Sequence, residues 1–287
     1  MSWDLLSEHA SFGGVQRFHR HTAAELGGLS AKFALYLPPQ ALGAHAVKVP
    51  LLVYLAGLTC TEETFTMKAG AQRLAAELGL ALLMPDTSPR GAGVPGEADS
   101  WDFGVGAGFY LDATQAPWAT HWRMESYLLK ELLPQVWAQA PVLQDRTGIF
   151  GHSMGGHGAL TLALRHPGVF RSLSALAPIC APTQCPWGHK AFSGYLGPDQ
   201  SAWGEHDASV LMNHQPTPPY PAGILIDQGE ADKFLAEQLH PQLFQEACVG
   251  IGQQLTLRRH PGYDHGYYFI ASVVDDHLRH HAAQLID

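Results

Sequence analysis

Of the 287 residues, 46% are hydrophobic and 15% are charged, which excludes an intrinsically disordered chain and provides ample material for a core. The 17 basic and 26 acidic side chains give a formal net charge of −9 at pH 7. This acidic balance argues against nucleic acid or anionic lipid as a partner, because both bind clustered cations. We expect one domain over residues 1–287, since single α/β domains of this length are common.

The hydropathy pattern predicts neither a membrane span nor a secretory signal. The longest apolar stretches, residues 51–58 and 78–84, are far shorter than the roughly 20 residues that cross a bilayer. The amino terminus is acidic and polar rather than basic and then apolar, so we expect a cytoplasmic protein. The cysteines are too few and too scattered for a disulfide framework, and we expect free thiols at Cys60, Cys180, Cys185 and Cys248.

The predicted elements begin with two antiparallel strands at 15–19 and 31–37, followed by a continuously apolar strand at 49–56. Helices and strands then alternate to the end of the chain. The predicted helices cover 67–78, 122–138, 155–165, 235–250 and a segment from Tyr267, and the strands cover 81–84, 146–150, 172–177, 224–227 and 254–259. This alternation predicts an α/β fold with a mostly parallel central sheet and helices on both faces, because parallel strands need crossover connections.

Functional residues are expected directly after strands, because ligands of such sheets collect at the carboxyl ends of the strands. The glycine- and proline-rich region at 85–108 is too long for a plain connection, and we interpret it as a functional loop. The 17 histidines include no His-Glu-x-x-His pattern, so we expect no catalytic metal.

The predicted strand at 146–150 is followed by Gly-His-Ser-Met-Gly-Gly at 151–156 and then by a helical pattern. This is Gly-x-Ser-x-Gly between a strand and a helix, the turn that lifts a nucleophilic serine above the sheet of an α/β-hydrolase fold. Glycine is needed at 151 and 155 because side chains there would collide in so sharp a turn. We therefore predict Ser153 as the nucleophile, and we interpret the adjacent His152 as structural.

A serine hydroxyl needs a histidine that removes its proton and an acid that orients the histidine, and in this fold the acid and then the base follow the serine. For the acid we favour Asp232, because an aspartate in a loop can reach over the sheet edge. We interpret Asp227 and Glu230 as bracing the turn. For the base we favour His265, which lies deeper in the loop after the last predicted strand than His260.

The tetrahedral oxyanion of acyl transfer needs two backbone N–H donors, one after the nucleophile and one in the loop after an early strand. Met154 follows Ser153 and supplies the first donor. The loop after the strand at 49–56 reads Gly-Leu-Thr-Cys-Thr, and we assign the second donor to Leu58.

Beyond these individual motifs, the combination of several blocks resembles the S-formylglutathione hydrolases, also called esterase D. The blocks are Gly-Leu-Thr-Cys-Thr at 57–61, Asp-Ser-Trp-Asp-Phe-Gly at 99–104, Gly-Ala-Gly-Phe-Tyr at 106–110, Gly-His-Ser-Met-Gly-Gly at 151–156, Cys-Pro-Trp-Gly at 185–188, Ala-Phe-Ser-Gly-Tyr at 191–195 and Tyr-Asp-His at 263–265. The resemblance implies hydrolysis of S-formylglutathione to formate and glutathione, the second step of glutathione-dependent formaldehyde detoxification. It also implies side activity on short acyl esters, no cofactor, a cytosolic location and often a homodimer.

The resemblance places the triad on Ser153, Asp232 and His265, and the chain departs from it at Gly266, where serine is common. A small, activated formyl thioester needs a tight acyl slot. The candidates to form it are Cys60, Trp101, Phe103 and Trp187, and the aromatic ones are equally suited to a plain core role. Lys190 and Arg90 are weaker candidates to hold the anionic glutathione. As a hypothesis, the Cys60 thiol on the pocket rim makes activity sensitive to oxidation or alkylation.

Two other functions use the same residues differently. A general short-chain carboxylesterase would apply the same triad to other acyl groups. A catalytically silent binding module would have no need for a strained elbow and a matched triad, which argues against it.

Overall fold

The computed structural model describes residues 3–286. Its nine strands are β1 (Asp4–Ser11), β2 (Gly14–Ala23), β3 (Leu29–Leu37), β4 (Val49–Leu55), β5 (Ala81–Pro85), β6 (Val142–His152), β7 (Ser172–Leu176), β8 (Ile224–Gly229) and β9 (Leu255–His260). They form one sheet in the order β1-β2-β3-β5-β4-β6-β7-β8-β9. Strands β1, β2 and β3 pair antiparallel, β3 pairs antiparallel with β5, and all the other pairs are parallel.

The predicted mostly parallel sheet is confirmed, and so is each predicted strand within a few residues at its ends. Strands β4, β5, β7 and β8 are buried at every position, which requires cover on both faces of the sheet. The prediction missed β1, an edge strand whose side chains are mostly exposed and which therefore lacks the alternation of a half-buried strand.

The α-helices are α1 (Glu62–Lys68), α2 (Gln72–Leu78), α3 (Met124–Ser126), α4 (Leu133–Gln139), α5 (Met154–Arg165), α6 (Pro186–Tyr195), α7 (Ala208–Asn213), α8 (Pro241–Ile251) and α9 (Tyr267–Leu285). Helices α5 and α9 pack against the central strands β6 and β7. Within residues 3–286 no helix combines the length and the hydropathy of a membrane span. Helices α6 and α7 were not predicted from the sequence.

Three predicted helices are interrupted, each for a local backbone reason. Gly70, with φ +72°, separates α1 from α2, so the single helix predicted at 67–78 is wrong. Between α3 and α4 the chain forms a π-helix, in which the Leu133 N–H donates to Leu128 O just before Pro134, a residue with no N–H to donate. A second π-helix at Leu235–Leu239 ends at His240, whose φ is +48°, and Pro241 then starts α8.

Candidate active site

Ser153 occupies the turn between β6 and α5 in a strained backbone conformation, with φ 58° and ψ −119°. A non-glycine residue rarely adopts a positive φ, and here the Ser153 N–H is anchored by a hydrogen bond of 3.0 Å to Leu176 O. A Cβ at Gly155 would lie 1.9 Å from the Leu55 carbonyl oxygen, and one at Gly151 would lie 2.2 Å from the Gly155 oxygen. The turn therefore requires both glycines.

The structure brings Ser153, His265 and Asp232 into one hydrogen-bonded line. The Nε2 atom of His265 lies 2.9 Å from Ser153 Oγ, and Nδ1 lies 2.5 Å from Asp232 Oδ2. Because an ionised carboxylate only accepts, Nδ1 carries the proton of the neutral imidazole and Nε2 accepts from the serine hydroxyl. The serine follows β6, the aspartate follows β8 and the histidine follows β9, so all three lie at the carboxyl edge of the sheet.

Asp232 is buried, and its carboxylate is hydrogen-bonded on both oxygens. Oδ1 accepts from the Phe234 N–H at 2.8 Å. Oδ2 accepts from His265 and also from the Gln228 side-chain amide at 3.2 Å. These donors stabilise the negative charge of the carboxylate and hold it toward the imidazole.

The backbone amides of Leu58 and Met154, the two predicted oxyanion donors, have no acceptor among the residues that the structure describes. Met154 is the first residue of α5, where the helix leaves its N–H groups unpaired. In the other loop the amides of Thr59 and Cys60 already donate to backbone carbonyls at 2.9 and 3.2 Å. Of the three consecutive residues Leu58, Thr59 and Cys60, Leu58 is therefore the one whose amide can serve a ligand.

Ser153 opens on a cavity of about 200 Å³. We call it the Ser153 cavity, and it is lined by Gly57, Leu58, Thr59, Cys60, Trp101, His152, Ser153, Trp187, Phe234, His265 and Tyr267. A volume below the usual 300–1,000 Å³ of drug-sized ligand sites suits a small acyl group better than a whole bulky substrate.

Of the four candidates for the acyl slot, Cys60, Trp101 and Trp187 line the cavity. The rings of Trp101 and Trp187 meet edge to face, with 5.6 Å between their centroids. The structure does not bring Lys190 into the lining. Its ammonium instead forms a short ion pair with Asp102 and is held outside the cavity.

Arg90, the other weaker candidate to hold glutathione, and Phe103, the fourth candidate for the acyl slot, also lie outside the lining. The Arg90 guanidinium donates to both oxygens of Asp86, at 2.6 and 2.8 Å, so its charge is already paired. Phe103 stacks on Tyr195 with 4.5 Å between ring centroids, which is a core role.

Cys60 is partly buried, and burial raises the pKa of its thiol, against hydrogen bonds from Thr64 and Tyr267 that act in the opposite direction. A thiol with a raised pKa holds little of the reactive thiolate at neutral pH. This environment weighs against the proposed sensitivity to oxidation, which remains a hypothesis.

His152, interpreted from the sequence as structural, also lines the Ser153 cavity. Its ring lies 4.5 Å from the His265 ring, centroid to centroid, and neither ring nitrogen has a hydrogen-bond partner among residues 3–286. Burial, followed by the charge of His265, holds the pKa of His152 well below its ordinary value, so the ring is neutral. The sequence analysis also missed Thr59, Phe234 and Tyr267. The position of Phe234 two residues beyond the predicted acid, in the same loop, is a signal that could have indicated its role.

Asp227, the rejected candidate for the acid, is fully buried within β8, two residues before its end, and its carboxylate bonds to side chains of neighbouring elements instead of bracing a turn. Its carboxylate accepts from Arg258 at 2.6 and 2.5 Å, from His260 at 2.9 Å and from His277 at 3.0 Å. Burial opposes ionisation, but the hydrogen bonds from Arg258 and His277 outweigh it and hold the pKa of Asp227 well below its ordinary range.

This carboxylate ends a buried chain of hydrogen bonds that we call the sealed array, made of Ser172, Ser174, Asp227, His277 and His281. His277 Nδ1 lies 2.7 Å from Ser174 Oγ, and His281 joins Ser174 and Ser172 at 2.8 and 2.6 Å. Because the Asp227 carboxylate only accepts, His277 donates to it from Nε2. The Ser174 hydroxyl then donates to His277 Nδ1, His281 Nε2 donates to Ser174 Oγ, and the Ser172 hydroxyl donates to His281 Nδ1. Both imidazoles are fully buried, and burial lowers the pKa of each.

A wider cavity of about 820 Å³ lies elsewhere, lined by residues that include Glu125, Lys130 and His166. Several of its polar groups are paired with one another, as in the 2.7 Å contact between His166 and Glu125. Within residues 3–286, no three or more His, Cys, Asp or Glu side chains are grouped so that they could hold a metal ion.

Comparison with known proteins gives consistent matches over the whole chain. The Esterase family model, described as "Putative esterase", matches residues 25–280. The S-formylglutathione hydrolase of Rattus norvegicus is 52% identical over 286 residues, covering 99% of each chain. That of Arabidopsis thaliana is 51% identical over 276 residues, covering 96% of this chain and 95% of the plant protein.

Among solved structures, an S-formylglutathione hydrolase from Agrobacterium tumefaciens superposes with a TM-score of 0.94 at 46% identity. The match covers 98% of this chain and 99% of that one. With the strand order and the serine turn described above, this match shows that the chain has the α/β-hydrolase fold.

Proposed function

The chain belongs to the S-formylglutathione hydrolase family, and we propose that it hydrolyses S-formylglutathione to formate and glutathione through a formyl-enzyme on Ser153. The observation that carries this proposal is the line from Asp232 through His265 to Ser153, with 2.5 and 2.9 Å between the paired atoms. A serine and an imidazole at hydrogen-bond distance, with the imidazole oriented by a carboxylate, are the parts that nucleophilic acyl transfer needs.

In the first half of the reaction, Ser153 Oγ attacks the formyl carbon while His265 Nε2 takes the hydroxyl proton. The carbonyl oxygen becomes an oxyanion, and the unpaired amides of Leu58 and Met154 are the donors proposed to stabilise it. The carbon–sulfur bond then breaks, and the sulfur leaves as glutathione after receiving the proton from His265. Asp232 stabilises the imidazolium that exists between these two transfers.

In the second half, a water molecule attacks the formyl ester carbon and gives one proton to His265. The same two amides stabilise the second oxyanion. The bond from the carbonyl carbon to Ser153 Oγ breaks, the proton on His265 returns to the serine, and the product leaves as formic acid, which ionises to formate by releasing the second proton of the water to solvent. The enzyme is thereby regenerated without any cofactor or external oxidant.

The dimensions of the Ser153 cavity support a small acyl group. At about 200 Å³, and walled by Trp101 and Trp187, it has room for a formyl group beside the two amides. A thiolate leaves readily, so the chemistry depends on positioning and oxyanion stabilisation more than on a strong acid.

Comparing kcat/KM for S-formylglutathione and for 4-nitrophenyl acetate tests the proposal against the general carboxylesterase. We expect the thioester to be preferred by at least about 100-fold, a difference of roughly 2.7 kcal/mol in the transition state. Equal values for both compounds would favour the carboxylesterase, and no turnover of either would overturn the proposal.

We further propose a cytoplasmic location and a homodimer, both of which rest on the family resemblance. Sedimentation analysis of the purified protein tests the dimer.

A further inference from the structure

A second, shallow depression of about 410 Å³ adjoins the Ser153 cavity, lined by Ala231, Lys233, Phe234, Asp264, His265 and Gly266. The two spaces share Phe234 and His265, so they meet at the imidazole that is proposed to protonate the leaving sulfur. A substrate whose acyl carbon is at Ser153 has its sulfur at this boundary. The part of the thiol beyond the sulfur is too large for the Ser153 cavity and needs a surface outside it.

The depression carries one charge of each sign. The Lys233 ammonium lies 4.9 Å from the Phe234 ring centroid and has no ion-pair or hydrogen-bond partner among residues 3–286. The Asp264 carboxylate accepts from the Gly266 N–H at 2.8 Å and is otherwise open to solvent. The sequence candidates Lys190 and Arg90, by contrast, are both engaged by aspartates, at Asp102 and Asp86.

We propose that this depression binds the charged end of the peptide thiol that leaves the enzyme, with Lys233 receiving a carboxylate and Asp264 facing an ammonium. The proposal rests on the proposed function, because glutathione carries both charges and a neutral ester carries neither. In a protein with a net charge of −9, an unpaired cation beside the proposed base is a specific means of holding an anionic substrate.

The Lys233→Gln variant tests this subsite. We expect its KM for S-formylglutathione to rise about two- to fivefold, the range for one exposed charge pair, with kcat nearly unchanged. The rise should shrink as salt is added, because exposed charges are screened. With 4-nitrophenyl acetate, KM should not change.

Lys48→Gln is the matched control, because Lys48 is an exposed lysine directly before β4, at the opposite edge of the sheet. It changes the net charge equally and should leave both KM values unaltered. If the wild-type enzyme turns over S-formylglutathione and Lys233→Gln has the same KM, the subsite is overturned while the proposed function stands. If the wild-type enzyme does not turn over S-formylglutathione, the proposed function itself fails.

A different observation supports a second inference, about Gln228. Its side chain is fully buried in β8, and the amide nitrogen donates to Gly229 O at 3.0 Å and to Asp232 Oδ2 at 3.2 Å. Both neighbours only accept, which fixes the orientation of the amide. The Oε1 atom is left buried without any partner. An unsatisfied buried oxygen lowers the free energy of unfolding. Gln228 therefore donates to Asp232 at a cost in stability.

We infer that Gln228 is a positioning residue for the reaction, which acts through Asp232. It shares the Oδ2 atom with His265, and it thereby restrains the carboxylate and draws negative charge away from the imidazole. The other titratable groups around His265 are His152, whose ring contacts it, Lys233 and Asp264, which line the same depression, and Cys60 and Tyr267, which line the Ser153 cavity.

The Gln228→Met variant keeps the length of the side chain but removes the donor and the unsatisfied oxygen together. We expect kcat to fall about three- to tenfold with KM nearly unchanged. Because a carboxylate with fewer donors favours the imidazolium more, the acid limb of the kcat/KM profile should move to higher pH. The midpoint of urea unfolding should stay the same or rise.

Gln253→Met is the matched control, because Gln253 is a buried glutamine next to β9 whose amide is satisfied at both ends by Tyr220. Its replacement should lower the midpoint of unfolding and leave the pH profile in place. If Gln228→Met lost stability while kcat and the pH profile stayed at wild-type values, Gln228 would be a packing residue and the inference would be wrong.

Discussion

Two lines of serine, histidine and aspartate occur within residues 3–286, and their contrast shows what such a line needs before it can catalyse. One is the line at the Ser153 cavity. The other, within the sealed array, runs from Ser174 through His277 to Asp227, in the same order along the chain and at comparable distances. Hydrogen-bond geometry between three side chains is therefore shared by the two lines, and what distinguishes them must lie elsewhere.

The backbone and the surroundings supply the difference. Ser153 is raised on a left-handed turn beside two unpaired amides and a cavity, whereas Ser174 lies within β7 and its hydroxyl is used by two histidines. The two histidines also bind their aspartates with different ring nitrogens, His265 with Nδ1 and His277 with Nε2. The first line is suited to acyl transfer and the second to joining elements of the fold.

Replacing the two serines is expected to give the largest difference. Ser153→Ala should lower kcat by about 10⁶-fold with an unchanged midpoint of unfolding, because only the nucleophile is lost. Ser174→Ala should leave kcat within about twofold and lower the free energy of unfolding by about 1–3 kcal/mol, since two buried imidazoles lose a partner. Steady-state kinetics and urea unfolding measure both. Loss of turnover in Ser174→Ala, with its fold intact, would contradict this separation of roles.

Replacing the two aspartates should distinguish the two lines in the same way, with a smaller effect on kcat. Asp232→Asn should lower kcat about 10⁴-fold, because the amide favours the wrong imidazole tautomer. Asp227→Asn should instead lower the free energy of unfolding by about 2–4 kcal/mol, less than for a fully buried pair because Arg258 reaches solvent. The control is the kcat of Asp227→Asn, measured at a temperature where this variant is folded. A loss of about 10⁴-fold in that kcat would assign Asp227 to the reaction.

Four buried histidines, two of them in the sealed array, should also make the free energy of unfolding depend on pH. His277 and His281 have lowered pKa values in the folded protein, as do His157, at about 3, and His206, at about 4, and burial is the largest cause for each. In the unfolded chain these groups titrate near 6.5, so below that pH the unfolded state binds more protons and stability falls. The full contribution is present above pH 6.5.

Urea unfolding at several pH values between 7.5 and 4.5 measures this loss, at up to about 1.4 kcal/mol per pH unit for each titrating histidine. The His281→Asn variant should show a shallower dependence, with the acid limb of its kcat/KM profile unmoved. A wild-type stability that stays flat from pH 7 to pH 5 would show that these imidazoles are not kept neutral.

The smallest effect is expected beside the proposed base. Gly266 is the N-cap residue directly before α9 and provides no side-chain cap, and a Cβ there would meet only the Asp264 carboxylate, at 3.2 Å. Gly266→Ser should raise the free energy of unfolding by a few tenths of a kcal/mol through capping, with kcat nearly unchanged. A large fall in kcat would show instead that the loop needs the smaller residue.

The order of helices and strands could be predicted because hydrophobic periodicity is strong where strands are buried on both faces, as at β4. The grouping of Ser153, Asp232 and His265 could be anticipated because each follows a parallel strand, and such strands end at one edge. The edge strand β1 and the interruptions of the helices could not, since one lacks a buried face and the others depend on single backbone angles.

Pairs of side chains that are far apart in the sequence were the hardest feature to predict from it. Nothing near Lys190 in the sequence indicates that Asp102 neutralises it, because the two meet only after folding. The sealed array, by contrast, has a signal in the sequence from which it could have been predicted. Ser172 and Ser174 are two apart on a strand, and His277 and His281 are four apart on a helix, so each pair shares one face.

The attachment of α9 through the sealed array has a consequence for local opening. Lifting this helix from β7 and β8 would strip the partners from two imidazoles and two hydroxyls at once, and it would remove the hydrogen bond from His277 to Asp227. Partial detachment is therefore nearly as costly as complete detachment, and the amide protons of α9 near these histidines should exchange with deuterium only when the whole sheet comes apart.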